Sequence, residues 1–175
     1  MNHLGRAIFS KREGGFTLVE LVVTIAILAI LVAIALPQFS AMMRNAELRG
    51  AARVLTSTLQ RARSEAITRK IDVGVEFTTT PNATTLGGSY RMYLDADNNG
   101  SCDAGETVLE QRNVPATVAL YSSIFATGSA RYDSRGLANG AGSIRLANLT
   151  PMYYKITVST TGNVRIQKSS DAGAI

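Results

Sequence analysis

From Leu21 to Leu36 the chain runs sixteen residues without a charge, and beyond Phe39 the pattern changes to a one-sided repeat. Leu48, Ala52, Leu55, Leu59, Ala62 and Ala66 recur at steps of four and three, while Arg49, Arg53, Gln60, Arg61, Ser64 and Arg69 fall on other faces. The first segment, to about Phe39, predicts a helix that is apolar on every side, as expected of one surrounded by lipid. The second predicts an amphipathic helix lying on a core. Only Pro37 interrupts, and its ring removes one backbone bond and should bend the helix. From Phe16 to near Lys70, about 55 residues at 1.5 Å each predict a rod of about 80 Å.

At Ile71 the period changes to two. Ile71, Val73, Val75 and Phe77 alternate with Asp72, Gly74 and Glu76, as on a strand with one buried face. The stretch 78–88, with Pro81, Asn82 and two glycines, reads as a polar loop. Further short strands are predicted over 89–94, 107–112, 117–125, 143–147, 153–158 and 163–167. The fold class is therefore α+β: a long N-terminal helix packed on an antiparallel β-sheet or sandwich.

Composition narrows the chemistry. At 175 residues the chain suits one anchor and one modest domain. Cys102 is the single cysteine, which excludes an internal disulfide, and His3 is the single histidine. Before the apolar run, Arg6, Lys11 and Arg12 are opposed only by Glu13, and Gly14-Gly15 follows. Basic residues beside a span hold that end in the cytoplasm, so everything after Pro37 is expected outside it. Cleavage after Gly15 would remove three basic residues and one acidic residue, leaving +3 of the formal charge of +5. It would also remove His3, and a chain without histidine has no Ser-His-Asp or Cys-His pair and no histidine zinc site. An enzyme is not expected.

Glu20 is the sharpest local feature, a lone carboxylate at the mouth of a membrane-length run, where a charge costs several kcal/mol unless paired. In a Sec-type signal the cleavage site follows the apolar region, whereas here the glycine precedes it. Gly15, Phe16, Thr17, Leu18, Glu20 and Pro37 together resemble the class III signal and N-terminal methylation motif of type IV pilins and pseudopilins. The resemblance implies cleavage by a prepilin peptidase between Gly15 and Phe16, N-methylation of Phe16, and pairing of Glu20 with the terminal amine of an adjacent subunit during assembly.

The later segments, Arg131 to Gly136, Ser143 to Leu146, Tyr154 to Val158 and Gly162 to Ile166, with the helix around Arg61 to Ala66, resemble the GspH/FimT branch of minor subunits. A major pilin would close a disulfide loop that one cysteine cannot make. The expected organisation is a leader over 1–15, a transmembrane or filament-core helix over 16–39, the amphipathic half of that helix over 40–70, and an extracytoplasmic β-domain over 71–175. The implied role is that of a minor pseudopilin near the tip of a type II secretion pseudopilus, needed for filament initiation and protein export. The alternative is a minor pilin of a type IV pilus acting in assembly, DNA uptake or adhesion. Implied partners are other pseudopilin or pilin subunits, the prepilin peptidase and an inner-membrane assembly platform. The implied location is the bacterial inner membrane, single-pass, with the β-domain in the periplasm.

Two constellations carry further chemistry. Residues 95–106 fit the calcium-loop pattern D-x-[DN]-x-[DN]-G-x5-E, with Asp95, Asp97, Asn99, Ser101, Asp103 and Glu106 as oxygen donors and Gly100 at the turn. A strand rather than a helix should precede Asp95, and an Asp/Asn/Gly-rich hairpin loop uses the same residues, so both readings stand. No cofactor is required. Arg61, Arg63, Arg69 and Lys70, with Arg145, Lys155, Arg165 and Lys168, supply a basic surface of the kind that binds DNA phosphates. Some members of the branch bind DNA through a Gly-Arg-x-Arg motif; here that place reads Gly162-Asn163-Val164-Arg165, without the first arginine, and Arg165 and Lys168 are the DNA-contact candidates. A solvated mixed-charge surface is the alternative. The sequons at Asn82 and Asn148 are read as chance, and Cys102 lacks a basic neighbour in sequence to activate it.

Overall fold

A computed structural model describes residues 15–125, 128–150 and 152–170. The first element is the helix α1, Leu18–Arg69, which continues through Pro37. The chain divides after Phe39 into two units. In the N-terminal unit every described residue from Gly15 onward is exposed, aliphatic side chains included. The helix is long and apolar enough to cross a membrane.

In the second unit, α1 buries Leu48, Ala52, Leu55, Leu59, Ala62 and Ala66. These are the positions of the one-sided repeat, spaced so that their side chains stack on one face. The helix ends where Lys70 adopts a left-handed φ of 59° and its N–H bonds back to the Ala66 carbonyl at 3.0 Å. A left-handed residue of this kind is a common helix stop.

Eight strands follow: β1 (Asp72–Thr78), β2 (Ser89–Asp95), β3 (Val108–Asn113), β4 (Ala119–Ile124), β5 (Ser129–Tyr132), β6 (Gly142–Ala147), β7 (Tyr153–Val158) and β8 (Val164–Ser169). They form two antiparallel four-stranded sheets, β3-β2-β1-β5 and β4-β6-β7-β8. Both supply the core around the helix, the first through Val73, Val75, Met92 and Tyr132, the second through Leu120, Ile144, Leu146 and Ile156. Seven strands coincide with the alternating segments of the sequence. β5 was not expected as a strand: at four residues, Ser-Ala-Arg-Tyr, it is too short and too polar to show a period.

Gly74 and Gly50 illustrate opposite uses of glycine. In β1 the Tyr93 ring lies directly over Gly74, and a Cβ there would fall 2.3 Å from the ring. On α1, a Cβ at Gly50 would meet nothing within 4 Å. Gly74→Ala is expected to destabilise the β-domain by ~1–3 kcal/mol through overpacking. Gly50→Ala is expected to stabilise it by up to ~1 kcal/mol through helix propensity. Denaturant unfolding in detergent, followed by tyrosine circular dichroism, checks both signs.

Candidate functional site

The entrance of α1 is built by Thr17. Its Oγ1 accepts a hydrogen bond from the Glu20 N–H at 3.2 Å, and its carbonyl accepts from the Leu21 N–H at 3.2 Å. Thr17-x-x-Glu20 is thus the frame of a capping box, a signal the sequence itself carries. Glu20 sits exposed in the first turn, where the positive end of the helix dipole favours an anion. Gly15 and Phe16 precede the helix as exposed, non-helical backbone. Residues 1–14, with Arg6, Lys11, Arg12 and His3, lie outside the described residues.

The acidic segment begins at the end of β2 and folds back over the first sheet. Asp95 is fully buried and accepts from the Asn99 and Gly100 N–H groups, each at 3.1 Å, and from Arg131 Nη1 at 3.0 Å. Asp97 accepts from the Asn99 N–H at 3.2 Å, and the Asn99 amide donates to Asp97 and Asp103 at 2.8 and 2.5 Å. Glu106 accepts from the Ala96 and Asp103 N–H groups at 2.9 and 3.2 Å. Ser101 gives its N–H to Asn99 Oδ1 at 2.7 Å. Carboxylate oxygens of Asp95, Asp97 and Glu106 all lie within 4.8 Å of one another. That spacing suits a shared ion, since two oxygens each about 2.4 Å from calcium lie at most about 4.8 Å apart. Of the six predicted donors, these three carboxylates converge. Asn99 and Asp103 are tied together by the amide instead.

Arg131 is the residue that sequence reading missed. It comes from β5, beside Gly74 of β1, and its guanidinium reaches Asp95, the Asn98 carbonyl and, at 3.8 Å, Asp72. Burial raises the Asp72 carboxyl above its ordinary pKa, with Arg131 opposing that effect. Ser129 Oγ donates to the Gly100 carbonyl at 2.7 Å, and Arg91 Nη2 to the Cys102 carbonyl at 3.4 Å. These bonds tie the loop 96–106 to the outer face of the first sheet, and burial pushes the Tyr93 hydroxyl up to about 12. Cys102 is half-buried, and burial raises its thiol as well.

The basic residues do not form one cluster. Arg61 and Arg69 pair with Glu65, and Arg61 also with Glu110. Arg63 Nε donates to the Gly136 carbonyl at 2.9 Å. Arg165 and Lys168 are three apart on β8 and so lie on opposite faces by alternation. Lys168 borders a groove with Arg49, Arg53 and Tyr154, and Arg165 borders another with Gln60, Arg63 and Gly162. Asn148 is buried against Asn45, its amide donating at 2.9 Å, so that sequon has a packing role.

The guanidinium already places a cation on Asp95, so calcium addition or chelation is expected to leave the melting temperature of the detergent-solubilised protein unchanged. A rise of several degrees with calcium would show the carboxylates taking up the ion. Arg131→Ala leaves a buried carboxylate unpaired and is expected to cost ~3–5 kcal/mol in denaturant unfolding.

Comparison with known proteins places this geometry. The profile of the prokaryotic N-terminal methylation motif matches residues 10–36, and that of the type II transport protein GspH matches residues 51–162. The pilin-like protein PilA1 of Thermus thermophilus is 37% identical over 92 residues, which are 53% of this chain and 54% of that one. The chain thus spans about half the length of this relative. The crystal structure of the type IV minor pilin FimU of Pseudomonas aeruginosa aligns over 72% of this chain and 91% of its own, at 18% identity and a TM-score of 0.50. The minor pseudopilin EpsH from the type 2 secretion system of Vibrio cholerae aligns over 69% and 96%, at 16% identity and a TM-score of 0.49. With one long helix packed on antiparallel sheets and family profiles covering both the apolar entrance and the β-domain, this chain belongs to the type IV pilin-like GspH family.

Proposed function

We propose that the chain is a minor pseudopilin, added near the tip of a type II secretion pseudopilus, where it initiates the filament needed for protein export. The GspH match over residues 51–162 carries this reading. In this account the peptidase cleaves between Gly15 and Phe16, the new Phe16 amine is methylated, and the chain waits in the inner membrane with its β-domain in the periplasm. The membrane-length apolar helix and the methylation-motif match support that order of events. Within an apolar helical bundle, the Glu20 carboxylate gains most by meeting a cation, and the terminal amine of a neighbouring subunit supplies one. Other pseudopilins and the inner-membrane assembly platform are the partners.

A minor pilin of a type IV pilus is the second reading, supported by the 37% identity to a pilin-like protein. Under it the groove of Arg63 and Arg165, or that of Arg49, Arg53 and Lys168, is the place to look for DNA contacts.

Glu20 has two roles to separate, the helix cap and the assembly charge. Glu20→Gln keeps the T-x-x-[EQ] cap and removes the charge. It is expected to insert in the membrane at normal levels, yet to reduce filament assembly and secretion about as severely as Glu20→Ala, because the charge and not the cap carries assembly. Sheared-filament assays and secretion of a reporter substrate check this, and normal assembly by Glu20→Gln would remove the proposed ion pair.

A further inference from the structure

The two sheets hold their charges differently. In the first, each strand cation is ion-paired: Arg91 with Glu76, Arg112 with Glu110, and Arg131 with Asp95 and Asp72. β4, β6, β7 and β8 contain no Asp or Glu, yet carry Arg145, Lys155, Arg165 and Lys168. None of these four makes an ion pair among the described residues. Ile144, Leu146, Tyr154 and Ile156 face the core, so Arg145, Tyr153 and Lys155 alternate outward. The register sets Arg145 directly opposite Lys155, and Arg165 opposite Thr157 on the same face. Like charges opposite one another destabilise a sheet, so this face gains by meeting an anion.

The matching anion is on the same chain. Among the described residues from 40 onward, the carboxylates without an ion pair are Glu47, Asp97, Asp103 and Glu106. Glu47 accepts from Thr117, and the other three belong to the loop over the first sheet. Asp97 and Asp103 are exposed. No ion pair joins loop and basic face within the molecule.

We propose that the outer face of the second sheet docks the 96–106 loop of a second copy of this chain. The two surfaces differ, so the contact is head-to-tail, closing into a ring or continuing as an open chain according to its rotation. This goes beyond the secretion-filament reading, whose partners are other subunits, and its test needs no secretion machinery, so failure of one is distinguishable from failure of the other.

The test uses the full chain in detergent at low salt, as an equal mixture of nitrogen-15-labelled and unlabelled protein treated with a zero-length carbodiimide. Amide links between Lys155 and Asp97, Asp103 or Glu106 are expected in mixed-isotope form by mass spectrometry. In sedimentation, Arg145→Glu with Lys155→Glu, and separately Asp97→Lys with Asp103→Lys, are each expected to weaken self-association ~tenfold. Mixing the two charge-reversed proteins is expected to restore it, provided each keeps the wild-type circular dichroism; should either fail to fold, the wild-type cross-links decide. Links found only in same-isotope form, or association indifferent to both reversals, would overturn the proposal. So would a monomeric protein whose Lys155 is protected from acetylation by a single-stranded oligonucleotide, since the face would then serve nucleic acid.

Discussion

An apolar helix with no polar face has to be covered by something outside its own fold. Every described residue from Gly15 to Phe39 is exposed within the chain, and each large aliphatic side chain left in water forgoes ~1.5–3 kcal/mol. Lipid or other apolar helices are the surroundings that recover it. The remaining half of α1 satisfies the same requirement internally, by burying the Leu48 to Ala66 face against two sheets. One element thus serves two environments, and the change of pattern beyond Phe39 marks the change of surroundings.

That constraint gives Glu20 its meaning. A carboxylate at the edge of such a segment is supported locally by the Thr17 cap and the helix dipole, but neither neutralises it. The same rule governs the β-domain, where Asp95 is tolerated at full burial because Arg131 and two backbone N–H groups meet it. It also distinguishes the sheets, since the first neutralises its strand cations and lies under its own loop, whereas the second presents Arg145 and Lys155 side by side.

Periodicity carried most of the fold: the helix and seven strands are visible as steps of three and four, then of two. β5 was invisible because four residues with one aromatic show no alternation. With β5 went Arg131, 36 positions from Asp95, so the cation of the acidic loop had no local signature. The Asp95, Asp97 and Glu106 oxygens come within 4.8 Å of one another, and of the three only Asp95 pairs with Arg131 among the described residues. Arg165 and Lys168 stand on opposite faces of β8 by strand alternation, which is itself legible in the sequence.

The central claim is that the exposed apolar helix is retained on a mature chain that begins at Phe16. Intact-mass analysis of the protein extracted from inner membranes tests it most directly. The account predicts a chain that starts at Phe16, carries one N-terminal methyl group and keeps all residues beyond it. A chain that retains Met1 to Gly15, or one cut after the apolar run, beyond Leu36, would contradict it.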